Sequence, residues 1–130
     1  MQEEAYMISK YLDGSLSKLS QEEFNNYRDE YINKWVVPSN KSVYNLFISL
    51  HKTVKVAAKI REIYSETMKG NGNVGQELNF VFTIRDGNYI IQDFNHSKDI
   101  LESTKDVILA KIADSDQKDY AESLIESICK

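Results

Sequence analysis

The sequence predicts a helix-dominated α+β domain in the order α-α-α-β-β-α-α, with one β-hairpin packed on a helical bundle. Three observations support this class. Apolar residues recur at helical spacing in several segments, a single segment alternates apolar and polar residues as a half-buried strand does, and an Asp-Gly pair follows that segment. The 130 residues are typical of one domain, so we predict that residues 1–130 fold as a single unit.

The first two predicted helices lie before the single proline. The first spans residues 2–12 and stops at an Asp-Gly pair. Ser20 begins the second, because Glu23 three residues later completes a capping box. Pro38 ends the second helix, since the residue before a proline avoids the α conformation.

A long third helix is predicted from Ser39 or Asn40 to Met68, where an apolar stripe ends. About 30 helical residues would extend about 45 Å, which is long for a domain of this size. We therefore expect a bend or break within residues 51–56. Residues 70–76 are rich in glycine and asparagine and are predicted to form a flexible connector between the long helix and the hairpin.

The predicted hairpin is centred on the pair Asp86-Gly87. Residues 78–84 alternate apolar and other side chains, which is typical of a half-buried strand. Asp-Gly favours a type I′ turn, and this turn would place Phe82 opposite Ile91 on the apolar side of the hairpin. Two helices then close the chain, the first capped by a serine at position 97 and the second by the residue at 114 or 115.

Composition and charge exclude several classes of protein. A single cysteine rules out a disulfide framework and a cysteine-based zinc site. The two histidines belong to no metal-binding motif, and no nucleophile accompanies either of them. The net charge of −4 does not favour nucleic acid as the principal partner. We therefore predict no enzyme activity, no cofactor and no metal.

Membrane and export signals are also lacking in the sequence. No apolar run approaches the ~18 residues of a membrane-spanning helix. The first residues, Met-Gln-Glu-Glu-Ala-Tyr, lack the basic and apolar regions of a signal peptide. We therefore expect a cytoplasmic protein that does not bind a membrane.

An aromatic face on the second predicted helix is the first candidate partner-binding feature. Tyr27, Tyr31 and Trp35 recur at helical spacing. Such a face often belongs to the core. Tyrosine and tryptophan are also enriched at protein-binding hot spots, so an exposed edge here would indicate a partner surface.

A basic face on the third predicted helix is the second candidate. Lys52, Lys55 and Lys59 share one side of the helix, and residues 39–69 carry six lysines and arginines against two glutamates. These lysines either pair with acids of neighbouring helices or form a docking face for a phosphate backbone or an acidic protein.

The sequence therefore predicts a small acidic protein–protein interaction module without catalysis, such as an inhibitor, an immunity or antitoxin-type protein, or an adaptor. Small acidic domains are suited to basic targets, which they attract over a distance. The alternatives are a nucleic-acid or anion-binding regulator that uses the basic third helix, and an enzyme or ligand carrier with a pocket beside the hairpin.

Overall fold

A computed structural model describes residues 2–29, 41–73 and 75–130, and all regular structure in these ranges is helical. In chain order the α-helices are α1 (Gln2–Ser9), α2 (Gln21–Arg28), α3 (Lys41–Met68), α4 (Ile84–Ser97), α5 (Ile100–Leu109) and α6 (Ser115–Cys129), and a 3-10 turn spans Ser15–Lys18. None of the described helices combines the length and the apolar character needed to cross a bilayer.

The predicted hairpin is wrong, and with it the α+β class. Residues 78–83 form no helix and no strand in the described part of the chain, and their side chains are alternately more and less buried, as in an extended chain. Asp86-Gly87 lies in the first turn of α4. An alternating pattern reports only an extended chain with one buried side. It does not supply the second strand that a sheet needs.

A carboxylate at the start of α4 explains why this segment is helical. The Asp86 carboxylate accepts the backbone N–H of Thr83 at 2.8 Å and the Thr83 hydroxyl at 3.0 Å. Three residues separate the two, which is the spacing that closes a helix N-terminus. Ile90, Ile91 and Phe94 then lie on the buried face of α4, so the residues predicted to form a second strand follow the helical period instead.

The remaining helix starts are partly as predicted. The capping box of α2 is confirmed, because Ser20 and Glu23 each accept the other's backbone N–H with their side chains, both at 3.2 Å. Asp114, one of the two predicted residues, caps α6. Asp99 rather than Ser97 caps α5, because the Asp99 carboxylate accepts a backbone N–H of the first turn.

Two helix lengths differ from the prediction. Helix α1 ends at Ser9, earlier than the predicted range 2–12. Helix α3 continues without interruption through residues 51–56, where neighbouring elements bury one of its faces, and such packing holds a helix together despite moderate propensity. The helix end predicted at Pro38 lies outside the described residues. Position 74 of the connector predicted at 70–76 is also outside them. The connector is followed by the extended segment rather than by a hairpin.

The core joins the six helices of the described ranges. Its largest fully buried apolar side chains are Ile8, Phe24, Phe47, Leu50, Ile60, Leu78, Ile90, Ile91, Ile108 and Ile125. Helix α2 is attached through Phe24, whose ring centroid lies 5.6 Å from that of Tyr6 and 5.0 Å from that of Phe47. This aromatic contact fixes α2 against α1 and α3.

One arginine joins α1, α3 and the extended segment. Nη1 and Nη2 of Arg61 donate hydrogen bonds to the two carboxylate oxygens of Glu4, at 2.8 Å and 2.7 Å. Its Nε donates to the carbonyl oxygen of Phe82 at 2.9 Å. A bidentate pair of this kind has a defined geometry, so Arg61 sets the position of residues 78–83.

Candidate binding surfaces

An open cleft of about 600 Å³ lies between the extended segment and the turn that joins α5 to α6. Its apolar lining comes from Phe80, Val81, Ile112 and Ala113, and its polar lining includes Arg85, Lys111, Asp114 and Gln117. The volume is within the size range of small-molecule sites, and the cleft is open to solvent. Val81 is 46% exposed, so an apolar side chain at the cleft is accessible to a partner.

Hydrogen bonds at both ends hold the extended wall of this cleft. The Leu78 N–H donates to the Thr67 hydroxyl on α3 at 3.2 Å, and the Asn79 N–H donates to Gln117 Oε1 on α6 at 2.8 Å. The Phe82 carbonyl is held by Arg61, as described above. The wall is therefore fixed before any partner binds.

The middle of the same wall has unused backbone groups. The N–H and C=O groups of Phe80 and Val81 form no hydrogen bond with any residue that the structure describes. Extended chain with free backbone groups is the condition under which another extended peptide adds as a strand. The cleft therefore offers both apolar contact and backbone pairing.

A buried acid lines the cleft at the start of α4. The Asp86 side chain is 2% exposed and forms an ion pair with Lys111, which follows α5. Burial alone would raise the pKa of Asp86, but the hydrogen bonds from Lys111 and Thr83 outweigh it and hold the pKa below its ordinary value. Asp86 is thus an ionised structural group that ties α4 to the α5–α6 turn.

Four carboxylates form what we call the acidic surface, next to the cleft: Glu77, Asp114, Asp116 and Asp119. All four are exposed, and they line two small open depressions beside Gly75. None of them forms an ion pair with another described residue. Asp114 caps α6 and Asp116 lies in its first turn, so both stabilise the start of that helix. Glu77 and Asp119 have no such role.

The sequence did not indicate this surface. The C-terminal third is acidic, but the extended segment, α4 and α5 separate Glu77 from the other three carboxylates along the chain. The bond between Asn79 and Gln117 brings them together, and no local pattern predicts such a contact.

The aromatic candidates are only partly placed by the structure. Tyr27 lies on α2 and is 43% exposed. Tyr31 and Trp35 lie outside the described residues. The structure therefore places one of the three side chains.

The three candidate lysines have different surroundings on α3. Lys52 Nζ donates to the carbonyl oxygen of Cys129 at 3.0 Å, so it binds the C-terminal end of α6. Lys59 lies 3.7 Å from Glu62 in an exposed ion pair. Lys55 is exposed and pairs with no described acid. The structure thus does not bring the three ammonium groups together as one free face.

The only cysteine is buried at the end of α6. Burial raises the pKa of the Cys129 thiol, and a hydrogen bond with Thr104 and the nearby Lys52 charge offset only part of that effect. The thiolate, which is the reactive form, is therefore disfavoured. Among the described residues, no group of three or more His, Cys, Asp or Glu could hold a metal ion.

A disulfide reagent such as DTNB should therefore label Cys129 in guanidinium chloride but leave it largely unlabelled in the folded protein over the same time. The chain has one cysteine, so absorbance reports that thiol alone. Rapid, stoichiometric labelling of the folded protein would contradict its burial.

No protein-family model matches the chain, and no curated protein or solved structure is significantly similar to it.

Proposed function

We propose that the protein is a small acidic protein–protein interaction module without catalysis, acting in the cytoplasm as an inhibitor, an immunity or antitoxin-type protein, or an adaptor. The observation that supports this proposal is the acidic surface beside an open, partly apolar cleft. These four exposed carboxylates, none in an ion pair with a described residue, attract a basic partner over a distance and raise its association rate. The apolar cleft supplies contact area once the partner arrives.

The partner segment that fits these features is an extended, basic stretch of chain. Its backbone would pair with the free N–H and C=O groups of Phe80 and Val81, adding a strand beside the extended wall. Its lysines or arginines would lie against Glu77 and Asp119, where no other described residue neutralises the carboxylates. Specificity would come from the apolar side chain that enters the cleft next to Ile112.

The cleft lining supports a binding role over a catalytic one. The Thr83 hydroxyl there already donates to Asp86, and the Asp86 carboxylate is engaged by Lys111. A nucleophile requires a neighbouring base that is free to take its proton, and these groups satisfy each other instead.

Charge reversal of the acidic surface tests this function. The protein should retain one stoichiometric partner from its native host, and Glu77→Lys combined with Asp119→Lys should weaken that complex by at least about tenfold, or about 1.4 kcal/mol. Added salt should weaken the wild-type complex more than the variant complex. Calorimetry or surface plasmon resonance with the purified partner measures both effects.

A matched control reverses two exposed acids elsewhere, Asp13→Lys with Asp106→Lys, which changes the net charge by the same amount. This variant should bind like the wild type apart from a small general charge effect. Equal weakening by both double variants, or the absence of any stoichiometric partner, would refute the acidic surface as the binding site.

A further inference from the structure

The turn that follows α3 contains Asn71, the one asparagine of the sequence that precedes a glycine. Gly70 has a positive φ of 77° and ends the helix. The Asn71 N–H then donates to the carbonyl oxygen of Glu66 at 3.0 Å. Asn71 is exposed, and its carboxamide bonds to no residue that the structure describes. The fold therefore fixes the backbone N–H of Asn71 and leaves its side chain in solvent.

The peptide group that joins Asn71 to Gly72 lies between two fixed points. On one side is the bond from Asn71 to α3, and on the other the Asn73 carbonyl oxygen accepts the Gln76 N–H at 2.9 Å. Between them, the Asn71 C=O and the Gly72 N–H form no hydrogen bond with a described residue. No such bond opposes rotation of this peptide group, and glycine has no Cβ to obstruct an approach to its nitrogen.

We propose that Asn71 is a site of spontaneous deamidation and that the product adds a further carboxylate to the acidic surface. The Gly72 nitrogen attacks Cγ of Asn71, a succinimide ring forms, and Nδ2 leaves as ammonia with the proton that Gly72 loses. Water then opens the ring at either carbonyl carbon and gives an aspartyl or an isoaspartyl residue. The reaction consumes a water molecule, releases ammonia and needs no oxidant or cofactor.

The pair Asp86-Gly87 shows how the fold can prevent this type of ring closure. The Gly87 N–H donates to the carbonyl oxygen of Thr83 at 3.4 Å, and the Asp86 carboxylate accepts two hydrogen bonds from Thr83. Both reacting groups are therefore held within the first turn of α4. At Asn71-Gly72 the corresponding nitrogen and side chain have no described hydrogen-bond partner.

The new carboxylate would lie beside Glu77 of the acidic surface. A Cβ placed on Gly72 would be 2.8 Å from Glu77 Cγ, so the Gly72 backbone lies next to the Glu77 side chain. Glu77 in turn lines a depression with Asp114 and Asp116. Deamidation makes the net charge of −4 more negative by one unit at this place. Stronger attraction of a basic partner rests on the function proposed above, whereas the deamidation itself does not.

Incubation of the purified full-length protein at neutral pH tests the site. The tryptic fragment of residues 70–85 should gain the mass that separates an acid from an amide, and tandem mass spectrometry should locate the gain at Asn71. The conversion should accelerate with rising pH, because the attacking nitrogen must lose its proton. Asn73 and Asn79 lie in the same fragment and should keep their amides longer, because residues with side chains follow them.

Substitutions on either side of the reacting bond assign the reaction. Gly72→Ala should slow the conversion several-fold, because a methyl group obstructs the attacking nitrogen. Its Cβ displaces the exposed side chain of Glu77, which is free to move. Asn71→Ser should remove the more acidic form that incubation produces on anion exchange. Asn73→Ser is the matched control, since it removes another exposed asparagine of the same turn and should age like the wild type.

A lysine homopeptide at low ionic strength measures the effect on the acidic surface. Incubated wild-type protein should bind it about twofold more tightly than fresh protein, as one more exposed charge pair contributes. Fresh and incubated Asn71→Ser should bind it equally.

Two results would overturn the proposal. One is an Asn71 amide that persists in the folded protein while a synthetic peptide of residues 70–85 deamidates under the same conditions. The other is deamidation without tighter binding of the homopeptide, which would remove its role at the acidic surface. Failure of the proposed function would appear in the partner complex and would leave the rate of deamidation unchanged.

Discussion

Replacing Asp86 with alanine should lower the free energy of unfolding by about 3 kcal/mol, because it leaves a buried helix start and the ammonium group of Lys111 without their acceptor. Lys111 is 40% exposed and can turn to solvent, so we expect the low end of the range for a buried pair. Urea unfolding at pH 7, followed by circular dichroism, measures the change.

The effect of Asp86 should also depend on pH in a defined direction. The pKa of Asp86 is lowered in the folded protein, so its stabilising contribution is complete above the ordinary pKa of the unfolded chain, which is about 4. The contribution falls as the pH drops through the lowered pKa. The gap in stability between wild type and Asp86→Ala should therefore narrow below about pH 4.

The Asp86→Ala variant also distinguishes a helix start at Thr83 from a hairpin turn at Asp86-Gly87. In a hairpin, Asp86 would lie at an exposed turn, and its loss would change stability by only about 0.5 kcal/mol. A cost that small, with no pH dependence in the acid range, would contradict a buried carboxylate at the start of α4.

Replacing Phe24 with alanine should cost about 4 kcal/mol, because Phe24 is fully buried and is the residue that anchors α2 to Tyr6 and Phe47. Removing the ring leaves a cavity between α1, α2 and α3 that a short helix cannot close. Denaturant unfolding gives the stability.

A conservative variant is the control for this prediction. Phe24→Leu keeps most of the apolar volume and should cost clearly less than the alanine variant. Equal stability of Phe24→Ala and wild type would show that α2 is not attached through this ring.

Local signals in the sequence predicted the ends of helices better than they predicted long-range contacts. The capping box of Ser20 and Glu23 and the cap at Asp114 depend on neighbouring residues only, and both were found. At Thr83 and Asp86 the sequence carries two signals at once, a capping pattern and an Asp-Gly turn. The predicted hairpin follows the turn signal, whereas burial of Ile90, Ile91 and Phe94 on one face of α4 favours the cap.

The candidate sites depend on contacts that local patterns do not contain. The spacing of Lys52, Lys55 and Lys59 shows that they share a face, but not that Lys52 binds the end of α6. The roles of Tyr31 and Trp35 as partner-binding residues stay predictions.

The cleft and its extended wall exist only if residues 84–97 form α4, so backbone chemical shifts over residues 78–97 test the account most directly. The Cα shifts should lie below random-coil values at 78–83 and above them throughout 84–97. Values below random coil on both sides of Asp86-Gly87, with a nuclear Overhauser contact between Phe82 and Ile91, would instead show a hairpin and remove the cleft.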